Sequence, residues 1–311
     1  MRQEDIVRQG LYGLVMALAA GLSVGFFTVT PVEGQAPATV TTWGGCPAEV
    51  AKFHPCALEK AKTFTPPRTV DDHPDLQGYW RRPVGSNIWD IEEHPNYGPM
   101  DWPAAKSLIV DPPDGKIPYQ PWAAPLGRRN GEHHTKYIDP NGRCFQAGVP
   151  RDTLISPVGQ LVQPAGQPYI LWHIEEAHAY RIIFTDGRPP LGNDLKLWEG
   201  HSVGRWEGNT LVVTTTNLNG KTWFDLAGNF ASDATRVVER WTLIEANTIH
   251  YQATIDDPKI FTRPWTIAYP QLREMTKDFR ILEEACHEGE RDWEHIRSQG
   301  YRMFPGVTPP N

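Results

Sequence analysis

The stretch RWEGNTLVV (residues 205–213) and the related stretch IEANTIHY (residues 244–251) decide the fold of this chain. In each, an Asn-Thr pair leads into a run of β-branched or aromatic residues, which is the pattern of a tight turn that joins two paired strands. Polar and apolar residues alternate in the same way over residues 167–270. This region therefore predicts an antiparallel β-meander.

About eight or nine strands are expected in consecutive antiparallel order. The meander strands are predicted at residues 169–175, 178–184, 201–206, 210–217, 236–243, 248–256, 261–269 and 278–284. PDLQGYW (residues 74–80) is the expected first strand, and its Gly-x-Trp fits a lipocalin-like barrel as well as an ordinary strand. Because closure removes exposed strand edges, we predict an all-β fold, either a lipocalin-like antiparallel β-barrel or a strongly curved meander sheet.

Proline and glycine set the character of the region before the meander. The chain has 29 Pro and 27 Gly, and they are densest over residues 66–168. Proline fixes φ and removes a ladder donor, so we expect a Pro-rich segment that wraps over the β body. Short helices are predicted at residues 47–62 and, near the C-terminus, at residues 289–299.

The amino-terminal region predicts export. Leu11–Thr30 is a run of twenty residues without a charge, and Arg2 and Arg8 precede it. Twenty helical residues span a bilayer, so we expect a retained transmembrane anchor with the body on the periplasmic face of the inner membrane. A cleaved signal peptide is the alternative, and it gives a secreted or periplasmic protein.

Gly21 and Gly25 lie four residues apart within the apolar run. That spacing lets a second membrane helix approach closely, although glycines that simply face lipid explain it equally well. The resulting organisation is an anchor or signal segment at residues 1–36, a linker with a short helix at residues 37–73, and a periplasmic β domain at residues 74–311.

The chain has four cysteines, an even number in an exported protein. Cys46 and Cys56 bracket a short segment, which leaves Cys144 and Cys286 for each other. Two disulfides, Cys46–Cys56 and Cys144–Cys286, are therefore expected.

Composition and motifs exclude several functions. A net charge of -7 gives no basic surface for nucleic acid, so no nucleic-acid partner is predicted. The chain has no phosphate-binding loop, dinucleotide fingerprint, haem-attachment motif or Gly-x-Ser-x-Gly. We therefore predict no cofactor.

Six segments carry a family resemblance. They are PDLQGYW (74–80), DPPDG (111–115), DGRP (186–189), WEGNTLVV (206–213), RPWT (263–266) and ACHEG (285–289). Together they resemble the signature segments of a large family of uncharacterised secreted β-rich bacterial proteins, over about residues 75–300. The resemblance implies secretion and β structure, and it implies no catalytic residue.

The most polar cluster of the meander contains His173, Glu175, Glu176 and His178, with Arg181 beyond it. Its spacing and strand context differ from the metalloprotease His-Glu-x-x-His, so no metal site is predicted. Two interpretations stay open. The preferred one is a cluster that completes a strand turn; the alternative is a metal or acid–base site, in which case His173, Glu175, His178 and Arg181 are the candidate catalytic residues.

Two functions follow from these features. The first is a non-catalytic accessory subunit, held in the lipid bilayer through residues 11–30, that docks on a membrane protein complex of respiratory or photosynthetic type. The second is a periplasmic lipocalin-like binding protein or barrel enzyme that acts on a small apolar or glycosidic substrate. The first is preferred because of the apolar segment and the missing catalytic motifs.

Overall fold

A closed β-barrel forms the body of the protein. The computed structural model describes residues 41–96, 103–127, 137–284, 286, 294 and 297–310. Within them lie β1 Thr42–Trp43, β2 Cys46–Pro47, α1 Val50–Thr63, β3 Gly78–Arg81, β4 Ile109–Asp111, β5 Tyr137–Ile138, α2 Asp152–Ile155, β6 Val158–Val162, β7 Tyr169–Ile174, β8 Tyr180–Phe184, β9 His201–Glu207, β10 Thr210–Thr216, β11 Arg236–Glu245, β12 Thr248–Asp256, β13 Trp265–Arg273 and β14 Arg302–Met303.

Nine of the described strands close the barrel in the order β3, β6, β7, β8, β9, β10, β11, β12 and β13, and β13 pairs again with β3. The predicted turns at Gly208 and Asn247 join β9 to β10 and β11 to β12. The all-β barrel predicted from the sequence is therefore confirmed.

Three details of the strand prediction were wrong. Residues 278–284 form no strand, because they run along the outside of the barrel, where Phe279 packs edge-on against Tyr79. Strands β8 and β9 pair in parallel, with Ile183 opposite Ser202, so the order is not wholly antiparallel. Strand β6 belongs to the barrel wall, although it lies in the region expected to wrap over it.

Large side chains fill the barrel. Trp80, Trp172, Trp241, Tyr251 and Tyr269 are each at most 2% exposed. The ring centroids of Trp172 and Trp241 are 5.3 Å apart, and those of Tyr251 and Tyr269 are 5.0 Å apart. Helix α2 adds to this packing, since the Thr153 hydroxyl lies 2.7 Å from that of Tyr269. The interior therefore resembles a packed core, and it leaves the surface to carry a binding site.

Both predicted disulfides are confirmed, Cys46–Cys56 and Cys144–Cys286. The first fixes α1, which begins close to the expected residue 47 and packs on the outside of β11, β12 and β13. The second joins the loop before β6 to the segment after β13.

Residues 1–40, which include Leu11–Thr30, Gly21 and Gly25, lie outside the described residues, as does most of the helix expected at residues 289–299. Across the described part of the chain, no helix has the length and apolar character that crossing a bilayer requires.

Candidate functional site

The candidate residues from the sequence lie on both faces of the barrel wall. His173 is the cross-strand partner of Tyr180, whereas Arg181, the next residue along β8, pairs with Trp172 and points inward. Glu175 accepts a hydrogen bond from the Leu282 backbone N–H at 3.2 Å. His173 and Arg181 are therefore separated by the sheet and do not share a site, and the side chain of His178 is outside the described set.

Arg181 belongs to a buried network inside the barrel. Its guanidinium donates to both Glu239 oxygens at 2.7 and 3.0 Å, and its Nε lies 3.3 Å from Asp152 Oδ2. The Tyr251 hydroxyl donates to Glu239 at 3.0 Å. Burial raises the pKa of Asp152 well above its ordinary value, although Arg181 opposes the shift. Since the network is enclosed and Arg181 contacts both Glu239 and Asp152, Arg181 holds α2 to the wall rather than facing a ligand.

The turn between β7 and β8 is strained. Ala177 has φ 53°, a left-handed conformation that is uncommon for a residue with a Cβ. The backbone N–H of Ala177 donates to the Glu284 carboxylate, which fixes the turn. Strained backbone of this kind concentrates at functional sites, so the turn directs attention to the adjacent Glu176.

Beneath this turn lies a polar group that we call the floor: Asp139, Asn141, Arg151, Glu176 and Glu284. Arg151 donates to both oxygens of Asp139, at 3.0 and 2.6 Å. The Asn141 backbone N–H donates to Asp139 at 3.1 Å, its side chain donates to the Phe145 carbonyl at 3.1 Å, and Asn141 lowers the pKa of the nearby Glu176. The floor thus connects the strained turn to the loop that follows β5.

Glu176 is the floor residue whose protonation is most changed near neutral pH. Burial, with smaller contributions from Glu284 and Asp139, raises the pKa of Glu176 to about 7, against the effects of Arg151 and Asn141. A carboxyl group with such a pKa beside a cleft marks a functional-site candidate. For Arg151, burial lowers the pKa, but Asp139 outweighs it and the pKa is raised.

Next to the floor is a surface cavity of about 400 Å³, which we call the cleft. Aromatic side chains from four separate segments form its walls: Trp89, Tyr137, Trp223 and Tyr301. The remaining lining residues are Ile138, Asp139, Gly142, Arg143 and Leu226. Asp139 belongs to both the cleft and the floor, so the two form one site.

The disulfide Cys144–Cys286 holds this site together. Cys144 follows the short 3-10 turn Asn141–Arg143 and has φ 66°. Its partner Cys286 lies two residues after Glu284, which fixes the strained turn. One covalent bond therefore joins the cleft-lining loop to the segment that supports Glu176.

Among the residues that the structure describes, no group of three or more His, Cys, Asp or Glu side chains is placed to hold a metal ion.

Comparisons of the chain with models of known protein families, with curated proteins and with solved structures gave no match. The resemblance to secreted bacterial proteins therefore stays a prediction.

Sequence reasoning located part of this site. It singled out the polar segment of residues 173–178, and with it Glu176. It missed Arg151 and the convergence of the four rings, because these come from loops without periodicity. One signal of this site was present in the sequence, namely the high aromatic content of a Pro-rich region. Aromatic side chains in such a region need packing contacts to avoid exposure to solvent.

Proposed function

We propose that this protein is an exported binding protein that holds a small glycosidic ligand in the cleft. The observation that carries the proposal is the convergence of Trp89, Tyr137, Trp223 and Tyr301 around one cavity of about 400 Å³ beside a charged floor. Ligand cavities of about 300–1,000 Å³ with apolar walls and a few polar groups are typical of small-molecule sites. Two disulfides suit an extracytoplasmic location.

The chemistry of the lining favours a sugar ring. Flat aromatic faces pack against the apolar C–H face of a pyranose, and they lose little conformational entropy on binding. Asp139, Arg143 and the backbone at Gly142 offer charged and polar groups at the edge of the same cavity. These groups suit the hydroxyls around a sugar, which need both donors and acceptors.

The test uses D-glucose, N-acetylglucosamine, cellobiose and p-nitrophenyl β-D-glucoside as ligands. Binding of each is measured by tryptophan fluorescence and by calorimetry. Tyr301→Ala removes one wall of the cleft, and we expect it to weaken binding at least about tenfold, which corresponds to 1.4 kcal/mol. Tyr79→Ala is the matched control, because Tyr79 is also partly buried and packs on Phe279 away from the cleft. Absence of binding at millimolar concentration, or equal losses in both variants, would contradict the proposal.

A second candidate function is the accessory subunit that docks on a membrane complex. It is favoured by the outward side chains of β7 and β8, which we call the outer wall: Tyr169, Leu171, His173, Tyr180, Ile182 and Phe184. Tyr180 is 58% exposed and Ile182 is 37% exposed, although both are large and apolar. An exposed apolar face of this kind marks an interaction surface.

The surroundings of the outer wall indicate an uncharged apolar protein face as its partner. Nearby charges neutralise each other, since Arg188 pairs with Asp186 at 2.6 Å and Arg205 with Glu207 at 2.5 Å. Every barrel strand already has two neighbours, so we expect a partner to dock through side chains.

Purification of the native protein in mild detergent tests this second function. We expect a stoichiometric partner that Ile182→Asp removes. Val70→Asp should leave the partner bound, because Val70 is 87% exposed but lies outside the outer wall. A monomer in both preparations would contradict docking.

A further inference from the structure

We propose that Phe304 is the positioning residue of the ligand site, because it anchors a C-terminal segment that supplies one wall of the cleft. The segment is Gly300–Gly306, which we call the strap, and its docking and ligand binding stabilise each other. This inference rests on the proposed function, and it adds the control of that site. It stands on the ring contacts, backbone pairing and burial around the strap.

The strap is joined to the rest of the protein by a short backbone pairing. Gly300 has φ 89° and Gly306 has φ 86°, a left-handed conformation that glycine adopts readily and that lets the chain turn at both ends of the strap. Between them, β14 pairs in parallel with β5, and the two strands form a sheet of their own. The Phe304 backbone N–H adds a hydrogen bond to the Ile138 carbonyl at 3.1 Å. Since a two-stranded sheet is marginally stable by itself, side-chain packing must hold the strap in place.

Phe304 provides that packing. Its side chain is 3% exposed, whereas the next residue, Pro305, is exposed. Its ring contacts a group of three aromatic side chains that we call the socket: Tyr137, Trp223 and Phe230. The centroid of the Phe304 ring lies 5.8 Å from that of Tyr137, 5.7 Å from that of Trp223 and 6.2 Å from that of Phe230. Aromatic pairs at these distances attract each other in addition to burying apolar area, so the socket anchors the strap.

The socket and the cleft share two of their rings. Tyr137 and Trp223 contact Phe304 and also line the cleft. Tyr301, a third ring of the cleft, belongs to the strap and precedes Phe304 by three residues. One buried side chain therefore fixes the relative positions of three of the cleft rings, and Trp89 is the fourth.

The socket lies outside the nine strands that close the barrel. Tyr137 belongs to β5, and Trp223 and Phe230 face each other as an isolated antiparallel bridge in the connection between β10 and β11. Phe230 is fixed in turn by Tyr119, whose hydroxyl accepts the Phe230 backbone N–H at 3.0 Å. We therefore expect that loss of the Phe304 ring releases the strap and leaves the barrel closed.

Strap docking and ligand binding act on each other through these shared rings. A ligand that fills the cleft contacts Tyr301 together with Tyr137 and Trp223, so it binds the docked strap more tightly than the released one. By thermodynamic linkage, the ligand stabilises the docked strap by the same factor by which docking raises the affinity. Arg302 on the strap is exposed, and release of the strap from β5 makes the peptide bond after Arg302 accessible to trypsin.

The first experiment measures affinity by calorimetry, with the saccharides named above as probes. Phe304→Ala empties the socket and should weaken binding at least about tenfold. Phe304→Leu keeps an apolar anchor and should bind within about threefold of the wild type. Phe53→Ala is the matched control, because Phe53 is also buried and packs on Trp43 and His250, neither of which lines the cleft. It should lower the unfolding temperature and leave the affinity unchanged.

The second experiment uses wild-type protein and so covers the case in which Phe304→Ala fails to fold. Limited digestion with trypsin is carried out with and without a saturating saccharide, and cleavage after Arg302 is followed by mass spectrometry. We expect the saccharide to slow this cleavage at least about tenfold. A rate that the saccharide leaves unchanged, or wild-type affinity in Phe304→Ala, would overturn the anchoring role and leave the binding function standing. Absence of saccharide binding by the wild type would overturn the proposed function and the anchoring role together.

Discussion

Arg181 shows how one residue can connect two parts of the barrel. It pairs with Glu239 on β11 and approaches Asp152 on α2, and all three side chains are at most 3% exposed. Removing one partner of such a pair leaves a charge buried without compensation, whereas exchanging the whole network for apolar residues can be neutral. The contribution of this pair to stability is therefore measurable mainly when only one of its partners is removed.

We predict that Arg181→Met destabilises the protein by about 3–5 kcal/mol. Arg240→Met is a matched control on a neighbouring face of the barrel. Arg240 pairs with Glu207 at 2.9 Å, but both side chains are about 40% exposed, so its loss should destabilise the protein far less than the loss of Arg181. Urea unfolding of both variants provides the comparison, and equal losses would show that the interior pair has no special role.

A second prediction at this scale concerns acid stability. His250 on β12 lies under α1, with its Nε2 3.1 Å from His54 Nδ1. Burial, and then the charge of His54, lower the pKa of His250 to about 3. In the unfolded chain His250 therefore becomes protonated near pH 6.5, whereas in the folded protein it stays neutral until about pH 3.

The sign follows from this difference. The stability contribution of neutral His250 is complete above pH 6.5 and decreases as the pH falls towards 3, by up to about 1.4 kcal/mol per pH unit. His250→Phe should flatten the decline in the free energy of unfolding between pH 6.5 and pH 4.5. An unchanged slope would assign the acid sensitivity to other groups.

At the scale of elements, the two disulfides stabilise different parts of the structure. Cys46–Cys56 closes a sequence separation of 10 residues at α1, and Cys144–Cys286 closes one of 142 residues at the candidate site. In the chain-entropy model these loops correspond to about 3 and about 5 kcal/mol.

We predict that the double variant Cys144→Ser with Cys286→Ser loses more stability than Cys46→Ser with Cys56→Ser, and that it alone weakens saccharide binding. The reason is that only the longer bridge joins the cleft-lining loop to the segment holding Ala177. Denaturant unfolding and binding calorimetry on both variants measure the two effects. Normal binding without the Cys144–Cys286 bridge would contradict its assigned role.

Strands were predictable from the sequence where the turn residues and the alternation of polar and apolar residues indicate the same hairpin. The hairpins at Gly208 and Asn247 meet both conditions, and the structure has them where expected. Strand β6 is short, contains Gly159 and lies in a Pro-rich region, so local pattern could not separate it from a loop. Gly159 is required there because the ring of Trp172 would lie 2.1 Å from a Cβ. That requirement is a tertiary contact, which single-sequence reasoning does not reveal.

At the scale of the whole molecule, the barrel serves as a support and the loops carry the candidate site. Closure depends on the pairing of β13 with β3, which involves Leu272 with Arg81 and Arg273 with Trp80. The sequence indicated a barrel because exposed edges are unfavourable, yet it did not indicate whether the interior is open. The tryptophans that point inward fill the interior, and the cleft on the surface is the proposed ligand site.

Footprinting with hydroxyl radicals is the most direct test of the claim that the cleft is the ligand site. The protein is oxidised with and without a saturating saccharide, and modification of each aromatic residue is read by mass spectrometry. We predict that the ligand protects Tyr301, Tyr137 and Trp89, while Tyr180 on the outer wall is modified equally in both samples. Protection at Trp206 and Tyr169, which line a separate cavity, with none at Tyr301 would contradict the account.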